Sequence, residues 1–201
     1  MNPLLAGVML ATIWCAGALV VLYMRTKAFG VRQLHSRPAG DARAGVRYAF
    51  TQGMAPQAKE SVRMNPLSYL AGMLYHTGIF AGLALLGLKL SGLGTPRVLG
   101  IVALLGATGG IALLGKRMFK AHLRGISCPD DFVSNLLATG FAALAGITCF
   151  LPSFASLWLI ETIALLIYAP LGKIRHCLFF FPTRYHFGAF FGRRGVLPPT
   201  A

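Results

Sequence analysis

The uncharged stretch at residues 64–88 reads MNPLSYLAGMLYHTGIFAGLALLGL. It is longer than the roughly 20 apolar residues that cross the hydrocarbon core of a bilayer as a helix. Other uncharged stretches occupy 1–24, 98–115 and 132–160. The chain has 56% hydrophobic and 12% charged residues, whereas soluble domains have about 25% charged residues. The sequence therefore predicts an all-α integral membrane protein.

The stretch at 132–160 is too long for one helix and contains Pro152. Proline removes a backbone donor and disfavours helix in the preceding residue, so we divide the stretch there. The first apolar stretch has no basic leader and no small-residue cleavage site, so we expect a transmembrane helix rather than a secretory signal. The prediction is one domain, residues 1–201, built as a five-helix bundle. We expect spans at about 3–24, 66–88, 98–115, 132–151 and 154–180, a loop at 25–63 and a tail at 181–201.

The distribution of basic residues predicts the orientation. With five spans, 17 of the 19 Lys and Arg residues fall on one side, and only Lys89 and Arg97 fall on the other. The positive-inside rule then puts the N-terminus outside and the C-terminus in the cytoplasm. Because topology and contact with anionic lipid explain the net charge of +14, we expect membrane lipid and no nucleic acid as partners.

The longest loop, at 25–63, contains a segment with two possible structures. Residues Arg43–Gln52 could form a short interfacial helix or part of a solvated loop, and the sequence favours neither.

The four cysteines show no C-x-x-C spacing, so we expect apolar side chains rather than disulfides or an iron–sulfur cluster.

Two histidines, His76 and His176, lie in the apolar segments. An intramembrane histidine needs a partner, and a pair on two spans could ligate a haem iron from both faces. We place both on the cytoplasmic side, His76 ~14 Å into its span. Counted from Phe154, His176 lies ~33 Å along its helix. The two histidines would therefore reach the same depth only if one of the two spans is tilted or if the fifth span starts later. The alternative is that each histidine only hydrogen-bonds to a neighbouring helix.

Charged residues near the histidines complete the predicted haem site. Lys173, Arg175 and Arg63 could pair with the anionic propionates of a b-type haem. His122 and His186 lie in basic segments and are expected at the surface, although either could substitute as a ligand. Glu161 is the acidic residue within a span, and it could exchange a proton with a quinone. The alternative is that the Glu161 carboxyl group is neutralised by burial or bonded to a neighbouring helix.

Three short motifs resemble the cytochrome b (gamma) subunit of respiratory nitrate reductase and related membrane subunits of heterodisulfide-reductase-like and sulfate-reducer complexes. Residues 74–79, LYHTGI, resemble that family's ligand motif on the second span. Residues 169–176, APLGKIRH, resemble its ligand motif at the end of the fifth span. The basic residues from Lys116 to Arg124, followed by Asp130 and Asp131, resemble the segment that opens its fourth span.

The resemblance implies five spans in a prokaryotic cytoplasmic (inner) membrane. It implies a haem-b subunit of a respiratory oxidoreductase complex, rather than an enzyme alone. Such a subunit passes electrons between quinone and a cytoplasmic iron–sulfur partner. Two-haem members carry two further histidines, where this chain has Leu86 and, roughly, Trp158, so we expect one haem, held by His76 and His176.

Two other functions are open to the sequence. A haem-free anchor that recruits a soluble redox enzyme is the main alternative. A small transporter is a weaker one, because the sequence shows neither an inverted repeat nor a pair of broken helices.

Overall fold

The computed structural model describes residues 2–30 and 35–199, and within these ranges it is helical, without strands. Helix accounts for 81% of the structure. Arg32, one of the basic residues of the predicted loop, lies outside the described residues. The α-helices are α1 (Pro3–Ala28), α2 (Ala42–Phe50), α3 (Glu60–Met64), α4 (Pro66–Leu90), α5 (Arg97–Phe119), α6 (Ala121–Gly125), α7 (Pro129–Thr148), α8 (Ala155–Tyr168) and α9 (His176–Arg193).

Four of these helices are long and apolar enough to cross a membrane: α1, α4, α5 and α7. A fifth candidate exists if the interrupted pair Pro152–Tyr168 and Lys173–Arg193 is taken as one span. Their exposed sides carry large apolar side chains, such as Leu10, Phe80 and Ile111, which are 68%, 67% and 60% exposed. The all-helical class is therefore confirmed, and the helices are compatible with a multi-pass membrane protein.

The prediction of one continuous helix over 154–180 is wrong. Helix α8 ends at Tyr168, a 3-10 turn follows at Lys173–Arg175, and α9 starts at His176. Pro170 cannot donate a backbone hydrogen bond, and Gly172 is a poor helix former, so the helix is interrupted between them. Helix α9 then continues to Arg193, well into the segment expected as a tail. The ~33 Å count for His176 therefore does not apply, because it assumed a straight helix.

The predicted loop at 25–63 contains regular structure. Helix α2 occupies most of Arg43–Gln52, which decides between the two interpretations in favour of a helix. Asp41 caps it, because the backbone N–H of Arg43 donates to the Asp41 carboxylate at 2.8 Å. 3-10 turns at Gln52–Met54 and Pro56–Ala58 lead to α3.

The chain divides into two compact units. Unit 1 comprises Met1–Ala18 and Leu67–Ile174, and unit 2 comprises Leu19–Pro66 and Arg175–Ala201. Unit 1 contains α4, α5, α7 and α8 with the first part of α1. Unit 2 contains α2, α3 and α9 with the last part of α1.

Small residues allow close helix packing in unit 1. A methyl group at Gly109 on α5 would lie 2.6 Å from the carbonyl oxygen of Ala71 on α4, closer than real contacts allow. Such approach gives the van der Waals contact that holds helices together in lipid. The core between the helices is apolar and includes Leu85, Phe141 and Trp158, each fully buried.

Unit 2 is built around the contact of α2 with α9. A methyl group at Gly192 would lie 2.6 Å from the carbonyl oxygen of Asp41, so glycine is required for this approach. The backbone N–H groups of Ala39 and Gly40 donate to the carbonyl oxygen of Arg193 at 2.9 and 3.0 Å. Further along, Arg184 donates to the carbonyl oxygen of Gly53 at 2.8 Å. These contacts hold α2 and the segments on both sides of it against α9.

Candidate functional site

Helix α4 presents His76 on the exposed side of unit 1. Its neighbour Tyr75 is buried, and the Tyr75 hydroxyl donates to the carbonyl oxygen of Asn135 on α7 at 3.0 Å. Gly78, also buried, packs against Gly106 of α5. Because Tyr75 and Gly78 turn one side of α4 towards α5 and α7, His76 points away from the core and is exposed.

The hydrogen bond of His76 determines which ring nitrogen carries a proton. Its Nδ1 atom lies 2.7 Å from the carbonyl oxygen of Gly72, one turn earlier. A carbonyl oxygen only accepts, so Nδ1 is the donor and a neutral ring has its lone pair on Nε2. Metal-ligating histidines typically donate their second ring N–H in this way.

The surface around His76 is open. A side chain at Gly72 would have no atom within 4 Å. Residues 72, 76 and 80 share one side of the helix, and Phe80 is 67% exposed. A flat apolar group could therefore lie beside the imidazole.

His176 is the first residue of α9 in unit 2 and is exposed. It lines a groove of about 380 Å³ on this helix. The other lining residues are Phe179, Phe180, Thr183, Arg184 and Phe187. The groove thus combines an imidazole, a guanidinium group and three aromatic rings, a set that suits an apolar ring system with anionic substituents.

The three predicted cationic residues have different environments. Lys173 lies in unit 1, where its Nζ atom is 2.7 Å from a carboxylate oxygen of Asp131. A propionate at Lys173 would therefore compete with Asp131 for the same charge. Arg175 and Arg63 lie in unit 2 and are exposed, in the turn before α9 and in α3.

Asp130 and Asp131, in the first turn of α7, organise the chain after α8. The hydroxyl of Tyr168 and the backbone N–H of Lys173 both donate to Asp130, the latter at 3.2 Å. Asp131 also pairs with Arg117 of α5 at 3.3 Å. Sequence reasoning missed these roles, although two carboxylates directly after Pro129 are a signal of a helix start.

Glu161 lies on α8 and is partly buried. A methyl group at Gly140 would lie 2.8 Å from the Oε1 atom of Glu161. The carboxyl group therefore packs against α7 at Gly140, where no side chain intervenes. Within the described ranges no side chain or backbone group donates a hydrogen bond to it. A carboxyl group in such surroundings is suited to exchange a proton with a ligand.

His122 and His186, which we considered as substitute ligands, are also exposed. His122 lies in the short helix α6 of unit 1. His186 lies on α9 and lines a second groove of unit 2, with residues from the end of α1. Within the described residues, no group of three or more His, Cys, Asp or Glu side chains is arranged to hold a metal ion.

The two positions that differ from two-haem cytochromes lie in the core of unit 1. Leu86 is 6% exposed and Trp158 is fully buried, and both belong to one apolar cluster. The Trp158 ring packs against Phe141 with ring centroids 6.3 Å apart. Side chains therefore fill the space at these positions.

Comparison of the chain with models of protein families, with curated proteins and with solved structures gives no match.

Proposed function

We propose that this chain is the haem-b-containing membrane subunit of a respiratory oxidoreductase complex. In this role it transfers electrons between the quinone pool and a cytoplasmic iron–sulfur subunit. The observation that carries the proposal is the hydrogen bond from His76 Nδ1 to the carbonyl oxygen of Gly72, at 2.7 Å. It orients an exposed imidazole in an apolar helix with Nε2 as the atom available for iron.

The surroundings of both histidines fit a haem. His76 has the open surface at Gly72 beside it, and His176 lies in a groove with three phenylalanines. His76 and His176 would hold the haem iron, and Arg63, Arg175 and Arg184 are cations of unit 2 suited to the propionates. Lys173 would contribute only by sharing its charge with Asp131.

The packing around Leu86 and Trp158 supports a single haem per chain. A second haem in the membrane would need ligands and an open volume at these positions. Both side chains are instead buried in the apolar cluster of unit 1. The proposal therefore carries over from two-haem cytochromes only the ligands at His76 and His176.

A bound haem supplies one-electron transfer, whereas quinone chemistry also moves protons. We assign to Glu161 the exchange of this proton with the quinone. Its carboxyl group lies in an apolar span and has no hydrogen-bond donor within the described residues. The two histidine ligands, the burial of the haem and the nearby cations would set its reduction potential.

The proposed membrane arrangement follows the charges of the sequence. The N-terminus lies outside and the C-terminus in the cytoplasm of a prokaryotic inner membrane, as the positive-inside rule predicts. The basic side then faces the cytoplasm, where it attracts an iron–sulfur subunit with an acidic surface. Catalysis belongs to the complex, and this chain is its quinone-interacting part.

Spectra of the purified chain test the proposal. A reduced-minus-oxidised spectrum should show a b-type haem, and a quinol analogue should reduce it. His76→Ala and His176→Ala should each abolish the signal. His122→Ala is the matched control, because it removes an exposed histidine that we assign no role, and it should keep the signal. Colourless wild-type protein that still binds a redox partner would instead identify a haem-free anchor.

A further inference from the structure

A second groove in unit 2, of about 540 Å³, lies between the end of α1 and α9. It adjoins the groove at His176, with which it shares Phe179, Thr183 and Phe187, but it does not include His176 itself. Helix α1 contributes Tyr23, Thr26 and Lys27, and Gly30 follows just after it. Helix α9 contributes Phe179, Pro182, Thr183, His186, Phe187 and Phe190. One wall is thus largely aromatic, and the other is largely polar.

The polar groups of this groove can donate hydrogen bonds, and no acidic side chain lines it among the described residues. Tyr23, Lys27, Thr183 and His186 each have a donor, whereas the Thr26 hydroxyl already donates to the carbonyl oxygen of Leu22 at 3.0 Å. The Lys27 ammonium lies 5.5 Å from the centroid of the Tyr23 ring, so a cation–π contact places its charge beside the groove. This set is complementary to an anionic, acceptor-rich ligand.

The charge of the surrounding unit favours an anion as well. Unit 2 contains 12 of the 19 basic residues but 2 of the 5 acidic ones, which gives +10 of the total net charge of +14. One of its two acids, Asp41, is occupied in capping α2. An anion in the groove therefore meets a favourable field.

The composition of α1 places the groove at the surface of a membrane. Val20, Val21 and Met24 are exposed apolar residues, and they are followed by exposed Arg25 and Lys27. This change from apolar to basic side chains is typical of the level at which a span meets the lipid headgroups.

We propose that the groove binds one anionic phospholipid. The phosphodiester headgroup accepts hydrogen bonds from Lys27, Thr183 and His186, and the acyl chains lie along the phenylalanines of α9. Basic pockets between helices at the membrane surface recognise anionic lipids in this way. The site needs no haem, so it stands independently of the proposed function.

Native mass spectrometry of the full chain in a neutral detergent tests this proposal. Dioleoylphosphatidylglycerol is titrated in, and the apparent Kd of the first bound lipid is measured against dioleoylphosphatidylcholine, which has the same acyl chains. Lys27→Gln should weaken phosphatidylglycerol binding about fivefold. Thr183→Val, which keeps the side-chain shape, should weaken it about threefold.

Arg25→Gln is the matched control. It removes the same charge in the same turn of α1, but Arg25 does not line the groove, so binding should change less than about twofold. An equal loss in Arg25→Gln and Lys27→Gln would overturn the proposal, as would equal affinity for the two lipids. Displacement by glycerol 3-phosphate would identify a site for free phosphate esters, and displacement by menadione would identify a quinone site. Each of these results would also overturn it.

Discussion

Two positions ten residues apart on α4 differ sharply in their surroundings. His76 is exposed, with open space at Gly72 beside it, whereas Leu86 is buried against the core of unit 1. On α8, Trp158 closes the same core, fully buried against Phe141. One part of unit 1 therefore leaves room for a ligand, and the other part is filled by its own side chains.

Under the proposed function, this difference is the means by which a helix bundle with few polar residues would specify a single cofactor. Filling one region with a large aromatic residue stabilises the bundle through packing. Leaving glycine beside an exposed histidine keeps another region accessible at little cost, because no core contact is lost there. The proposed number of haems thus depends on packing as much as on the count of histidines.

The largest effect is expected from Trp158→Ala, which empties the filled region. Truncating a fully buried tryptophan should lower the free energy of unfolding by about 3–5 kcal/mol. Equilibrium unfolding in mixed micelles measures the change. Leu83→Ala on α4 is the control, because Leu83 is 44% exposed and should lose much less. Similar losses in both variants would show that the filled region is not the stabilising one.

A smaller effect is expected when the open region is filled. Gly72→Leu should reduce haem content at least about tenfold, because the new side chain occupies the space beside His76. Gly87→Leu is the matched control. A side chain at Gly87 would also have no atom within 4 Å, but Gly87 lies about three turns along α4 from His76, on the same side of the helix. Haem content per chain and circular dichroism separate the loss of haem from misfolding. Equal haem content in both variants would contradict the assignment of this surface.

The smallest effect is expected at the ion pairs of Asp131, at the start of α7. Asp131→Asn removes the pairs with Arg117 and Lys173 and weakens the hydrogen bond from the backbone N–H of Cys128. We expect a loss of about 1 kcal/mol in the free energy of unfolding, mainly through the start of α7. Ser134→Ala, which removes the hydrogen bond to Asp130 and no ion pair, should cost less. High salt should reduce the difference between wild type and Asp131→Asn, since screening weakens the same pairs.

The sequence predicted the helices where length and apolar composition decide the outcome. The first four spans agree with α1, α4, α5 and α7 within a few residues. Helices α1 and α5 extend past the predicted ends because basic residues such as Lys27 and Arg117 are tolerated in their last turns, whereas α7 begins and ends three residues earlier than predicted. The fifth predicted span is interrupted, because Pro170 and Gly172 disfavour helix in spite of the apolar composition around them, and it remains a candidate span only as a broken pair of helices.

The site was predictable only in part. The residue types and their position on apolar segments indicate His76 and His176. The outward direction of His76 depends on Tyr75 reaching Asn135, a contact across 60 residues that no local pattern reveals. The pairing of Lys173 with Asp131 is likewise a product of the fold, and spacing alone suggested a different partner for that lysine.

The haem content of the purified chain tests the central claim most directly. Pyridine haemochrome analysis, divided by the protein concentration from quantitative amino-acid analysis, gives the number of haems per chain. The proposal predicts one b-type haem, as the open surface at His76 and the filled core at Leu86 and Trp158 require. A value of two would contradict the assignment of the filled region, and a value of zero would contradict the haem assignment itself.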